Sequence, residues 1–199
     1  MIKNSQKYPL FSMLVISLSF LLSACSLKPV SQNTLNASKS YSDFKGVKVV
    51  VGQQAPLFSL PDAQGNAVSL QQYKSKQPVM LLFYRGDWCP FCVDQLEDYQ
   101  SLLPELEKYN IQLIAISPDA RASIENTQRK FGRSYLFLSD QDLQITRKYG
   151  IGNKKDLPHP AIFLIDKEGT LVWYYASKDH KARPSAVQVE KIIQKSFVE

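Results

Sequence analysis

A chain of 199 residues with 44% apolar and 21% charged side chains can bury a sizeable core in one domain, and this composition excludes a fibrous or wholly disordered protein. The formal charge of +6 comes from basic residues scattered along the sequence, with no polybasic arm and no aromatic–basic interleaving, so no nucleic-acid partner is expected. Three cysteines are too few for a disulfide framework.

The chain opens with a basic stretch, Lys3 and Lys7, followed by an apolar run from Leu10 to Leu22. That run is too short for a comfortable membrane span and has the shape of an export signal. It ends in Leu22-Ser23-Ala24-Cys25, which resembles the cleavage box of a bacterial lipoprotein. The resemblance implies a signal peptide over 1–24, lipidation of Cys25 and anchoring at a membrane. It also implies residence in the bacterial cell envelope, at the periplasmic face, in the outer membrane where there are two. A plain secretory signal with an incidental cysteine is the alternative. Residues 25–46 are polar, with Ser, Asn, Lys and Thr, and read as a flexible tether. One domain is expected over 47–199.

Within it, Leu57–Leu60 and Ala67–Leu70 flank a Gly65-Asn66 turn and predict a β-hairpin. Pro78–Phe83 is an apolar run that predicts a buried strand. Val93 to Tyr109 has helical spacing, and Pro104 predicts a kink or a second helix inside it. Ile111–Ile116 predicts another buried strand, followed by a helix from Ser117-Pro118-Asp119 to Phe131. Then come a short strand at Tyr135–Leu138, a short helix at Leu143–Tyr149 and a loop to His159-Pro160. Ala161–Ile165 and Leu171–Tyr175 predict a hairpin, and an amphipathic helix opens at Pro184-Ser185. Helices between strands imply parallel pairs and the late hairpin antiparallel ones. The fold class is therefore α/β, a mixed central sheet flanked by helices with an N-terminal β-hairpin.

The chemistry concentrates at Arg85-Gly86-Asp87-Trp88-Cys89-Pro90-Phe91-Cys92, where the central strand turns into a helix. A thiol at a helix start meets unpaired N–H groups and the positive end of the dipole, which favour thiolate. A second thiol one turn on can close a disulfide with it, making a reversible two-electron switch. A zinc site would need two further ligands, and His159 and His180 stand at no recognisable spacing, so no metal or cofactor is expected. An inert disulfide is the other dull alternative.

Three separated motifs carry a family resemblance: Ala55-Pro56-Leu57-Phe58-Ser59-Leu60-Pro61-Asp62 with Gly65, the Phe83–Cys92 run, and Pro160–Asp166 with Gly169. Together they resemble the peroxiredoxin-like branch of the thioredoxin fold, the alkyl hydroperoxide reductase/thiol-specific antioxidant (AhpC/TSA) family. The resemblance implies a thioredoxin-like fold and makes Cys92 the peroxidatic position. Typical members carry Pro-x-x-x-Thr-x-x-Cys and a later Arg. Here those places hold Arg85, Cys89 and Pro160, and the last two are thioredoxin residues. The expected activity is thiol-disulfide exchange on envelope proteins, with Cys89 attacking and Cys92 resolving. The alternative is a thiol peroxidase acting on hydroperoxides, with Cys92 attacked and Cys89 resolving. Either needs a reduced thiol donor. A binding lipoprotein with a structural disulfide is the non-enzyme alternative. By the same resemblance, the His159-Pro160 bond is expected to be cis and His159 to face the sulfurs. Trp88 is expected beside the sulfurs, and Arg85 to favour the thiolate. Asp179, His180 and Arg183 read as a polar surface loop.

Overall fold

The structure, a computed structural model, describes residues 27–36 and 38–197. The signal segment and Cys25 lie outside the described residues. The apolar runs become the middle of a six-stranded sheet. Val79–Phe83 (β4) pairs in parallel with Gln112–Ser117 (β5), which pairs in parallel with Tyr135–Ser139 (β6). On its other edge β4 pairs antiparallel with Ala161–Ile165 (β7), and β7 with Leu171–Ala176 (β8). All five residues of β4 and of β7 are buried, as strands covered on both faces must be. Alternation sorts them: Met80, Leu82 and Tyr84 enter one core, and Val79, Leu81 and Phe83 the other.

Pro90–Asp98 (α2), Leu103–Lys108 (α3), Arg121–Phe131 (α4) and Ala186–Phe197 (α6) cover the first face. Gln144–Lys148 (α5) covers the second, joined by the small hairpin of Ser59–Pro61 (β2) and Ala67–Ser69 (β3). The expected break at Pro104 is present. A 3₁₀ turn over Tyr99–Leu102 separates α2 from α3, and the proline occupies the first turn of α3, where it has no N–H to satisfy.

The expected tether is partly folded. Gln32–Asn36 (α1) buries Leu35, and Ser40–Ser42 (β1) adds a parallel strand to β8 at the edge of the sheet. The ring of Tyr41 stacks on Tyr175 at 5.2 Å, so a few apolar side chains hold a polar stretch against the domain. The His159-Pro160 bond is trans, not cis, because no cis peptide bond occurs among the described residues. The chain enters β7 extended, with His159 N–H donating to the Ile151 carbonyl at 2.7 Å and the Pro160 carbonyl accepting from Ser177 at 3.1 Å.

Candidate active site

β4 delivers the chain to the sheet end, and Tyr84 N–H still bonds the Ile116 carbonyl at 3.0 Å. The loop then turns sharply. Asp87 N–H donates to Asp119 Oδ2 at 3.0 Å, and the Ser117 hydroxyl donates to the same oxygen at 2.9 Å. Asp119 was expected to open the next helix; instead it ties down this loop, and α4 begins two residues later. Gly86 makes the close approach possible. Its φ is +144°, and a Cβ there would lie 2.7 Å from Asp119 Oδ1 and collide with the Trp88 ring.

Cys89 is the N-cap of α2 and Pro90 its first residue. The Cys89 carbonyl accepts from Cys92 N–H at 2.9 Å and Val93 N–H at 3.1 Å, so the helix starts under the first sulfur and the second lies one turn in. Both cysteines are free and buried. Two N–H donors meet Cys92 Sγ. One is the backbone N–H of Arg85 at 3.4 Å; the other is a guanidinium N–H of Arg183 at 3.2 Å.

Arg183 is the residue that the sequence reading placed on the surface. It is 2% exposed. A second guanidinium N–H donates to Gln95 Oε1 at 2.6 Å, Gln95 donates to the Tyr99 hydroxyl at 3.1 Å, and that hydroxyl donates to the Pro184 carbonyl at 2.9 Å. This closed chain of bonds sews α2 to the segment before α6 and fixes the guanidinium against the sulfur. Its Nε is buried with no partner, as is Nε of Arg85. The one available signal in the sequence was an arginine directly before Pro184 at a helix start.

The two thiols share a hydrogen bond that splits their titration. The Cys89 thiol is pulled down to about 5, first by that bond to the Cys92 side chain, then by Cys92 N–H and the charges of Arg183 and Arg85, against burial. The same bond and burial push the Cys92 thiol up. At neutral pH the pair therefore holds one negative charge and one proton, and the titration belongs to the pair. Only the N–H groups of Arg85 and Arg183 at Cys92 Sγ work the other way, favouring the charged form of that sulfur.

Trp88, expected beside the sulfurs, is 58% exposed and carries the Arg85 guanidinium on its ring at 5.0 Å. His159 packs its ring on Phe44 at 4.4 Å, and its pKa is lowered first by burial, with Asp43 and Arg85 the charges acting on it. His180 is the histidine whose titration feels Cys89, and its ring meets Phe91 edge-on at 5.4 Å. Among the described residues no group of three or more His, Cys, Asp or Glu could hold a metal ion.

A family model described as the AhpC/TSA family matches residues 51–174. The chloroplastic peroxiredoxin Q of Gentiana triflora is 33% identical over 175 residues, spanning 84% of this chain and 80% of that protein. A putative peroxiredoxin of Coxiella burnetii is 31% identical over 136 residues, 64% of this chain and 89% of that one. The solved structure of Enterococcus faecalis AhpC superposes with a TM-score of 0.65 at 20% identity, covering 73% of this chain and 91% of that one. Helices on both faces of a mixed sheet, a cysteine pair at the strand-to-helix corner and these matches agree, and the chain belongs to the AhpC/TSA family, the peroxiredoxin-like oxidoreductases of the thioredoxin fold.

Proposed function

We propose that the protein is a thiol-dependent peroxidase in which Cys92 is oxidised by a hydroperoxide and Cys89 resolves it. The observation that carries this reading is the Arg183 guanidinium held 3.2 Å from Cys92 Sγ. A peroxidatic thiolate needs a fixed cation beside it, and the family's usual Arg position is Pro160 here. Arg183 supplies that charge from another segment. The Nε groups of Arg183 and Arg85 are buried with no hydrogen-bond partner, two donors that the protein itself leaves unused.

Cys92 passes its proton to the Cys89 thiolate, and the resulting Cys92 thiolate attacks the terminal peroxide oxygen. The O–O bond breaks, the alkoxide leaves and takes the proton from Cys89, and Cys92 becomes a sulfenic acid. The Cys89 thiolate then attacks the Cys92 sulfur. The S–O bond breaks, hydroxide leaves and is protonated to water, and a Cys89–Cys92 disulfide forms. An external thiol restores the dithiol.

Disulfide exchange on envelope proteins had been the leading expectation. It rested partly on a cis-proline opposite the pair, and that bond is trans. The peroxidase reading also accords with the names of the two peroxiredoxin relatives described above. The test is sulfenic acid trapping. Cys89→Ser should consume one equivalent of hydrogen peroxide and yield a dimedone adduct on Cys92, and Cys92→Ser should yield none. An adduct on Cys89 in the second variant would reverse the assigned roles.

We further propose that Cys25 is lipidated and tethers the enzyme to a bacterial envelope membrane, on the Leu22–Cys25 box alone. Mass spectrometry of the protein from its own cells tests this. An unmodified Cys25, or an uncut chain, would remove the proposal.

A further inference from the structure

A cleft of about 1000 Å³ opens at the end of the sheet that carries the thiols, with Arg85, His159, Pro160 and His180 on its wall. Its charge departs sharply from the chain's. Lys45 and Lys48 follow β1, Arg147, Lys154 and Lys155 come from α5 and the loop after it, and Lys178 follows β8. With Arg85 that makes seven cations against one lining carboxylate, Asp156, whereas the whole chain has 24 basic and 18 acidic residues. The carboxylate lies 3.8 Å from Arg147. Basic residues scattered in sequence are thus gathered by the fold onto one concave wall. A wall of one sign concentrates ligands of the other.

The size bears on the occupant. A simple hydroperoxide needs a few tens of Å³, while a cavity of about this volume suits a molecule of tens of atoms. Turnover has a second small-molecule requirement, the thiol that reopens the disulfide. A cationic wall serves that molecule twice, by attracting its carboxylates and by favouring its thiolate, the attacking form. A peroxide is consumed uncharged at its reacting end and gains neither benefit. The wall borders the thiol pair through Arg85, whose backbone N–H donates to Cys92 Sγ at 3.4 Å, and through His180, whose ring meets that of Phe91, between the two cysteines in sequence, at 5.4 Å.

We propose that this cleft binds a small carboxylate-bearing thiol that reduces the Cys89–Cys92 disulfide. It rests on the reading above only in requiring that disulfide. The docked thiolate attacks Cys89 Sγ and forms a mixed disulfide. The Cys89–Cys92 bond breaks, and Cys92 leaves as a thiolate held by the N–H groups of Arg85 and Arg183. A second thiolate of the same kind attacks the sulfur of the bound thiol, releasing a symmetric disulfide and the Cys89 thiolate. Two external thiols are oxidised and one protein disulfide is reduced.

The experiment isolates this half-reaction. The full-length protein is oxidised with diamide, which takes up the two hydrogens of the dithiol, and reduction is followed by tryptophan fluorescence. The probes are 3-mercaptopropionate, 2-mercaptoethanol and cysteamine, carrying negative, no and positive charge, compared per thiolate. The anionic thiol should saturate and exceed cysteamine by about tenfold or more at low salt. Added NaCl should erode that advantage, since the Debye length is then about 10 Å or less. A Lys154→Glu/Lys155→Glu variant should lose most of it. Equal, non-saturating rates for all three probes would overturn the inference, as would reduction by protein dithiols alone. A charge preference seen only in oxidation by a carboxylate-bearing hydroperoxide would overturn it too. If the disulfide forms and is reduced with charge selectivity while peroxide leaves the dithiol untouched, the peroxidase reading fails and the cleft inference stands.

Discussion

Replacing Arg183 by glutamine removes a cation 3.2 Å from Cys92 Sγ while keeping a polar side chain for the buried pocket. Two unit charges at that distance attract by about 5 kcal/mol at an effective dielectric constant of about 20, an upper bound before relaxation. A hydrogen bond to a charged group is worth about 1.5–3 kcal/mol net, and about 1.4 kcal/mol corresponds to one pKa unit. The first ionisation of the pair, near 5 in the native protein, should therefore rise by about 1–2 units. A depressed pKa loses its benefit as pH falls toward it, so raising it moves the acid limb of activity to higher pH. Stopped-flow oxidation of the reduced protein by hydrogen peroxide reads this directly. The wild-type to variant rate ratio should be about two- to tenfold larger at about pH 6 than at about pH 9, where both pairs are ionised. Arg183→Lys should shift the limb less, because it keeps the charge. An acid limb that does not move in Arg183→Gln, in a variant that remains folded by circular dichroism, would refute the role assigned to Arg183.

Three further outcomes follow from the geometry. Thiolate absorbance of the reduced protein should rise with a midpoint near pH 5, and Cys89→Ser should move that midpoint up, because the shared hydrogen bond is the largest cause of the shift. Gly86→Ala should lower stability by about 1–3 kcal/mol in urea unfolding, since φ is +144° and the new Cβ meets Asp119 and Trp88. Leu35→Ala should cost about 2–5 kcal/mol, because Leu35 is 1% exposed within the core. A change of a few tenths would mean that 32–42 is a loose tether after all.

Long-run features were legible in the sequence because they are set locally. The runs at 79–83, 112–117 and 161–165 became central strands, and the proline at 104 became a helix start. The cysteine pair was legible for the same reason, since a strand ending and a helix beginning place it without help from distant residues. What was not legible depends on contacts made across the fold. Arg183 lies 91 positions from Cys92, and only the bonds through Gln95, Tyr99 and Pro184 bring it there. A strand of three residues, Ser40–Ser42, leaves no periodic trace and is held by pairing with β8. The bond before Pro160 is trans, which the family analogy with a cis-proline did not anticipate. The cationic cleft is invisible in order of sequence because its residues come from four separate segments.

The central claim is that a buried pair holding one thiolate reduces peroxide through Cys92. It is tested most directly by mixing the fully reduced protein with micromolar hydrogen peroxide at neutral pH and following the fluorescence of the exposed Trp88. The account predicts oxidation far faster than that of an equal concentration of dithiothreitol thiolate, with one peroxide consumed per disulfide formed. A rate no greater than that of the free thiolate would contradict it.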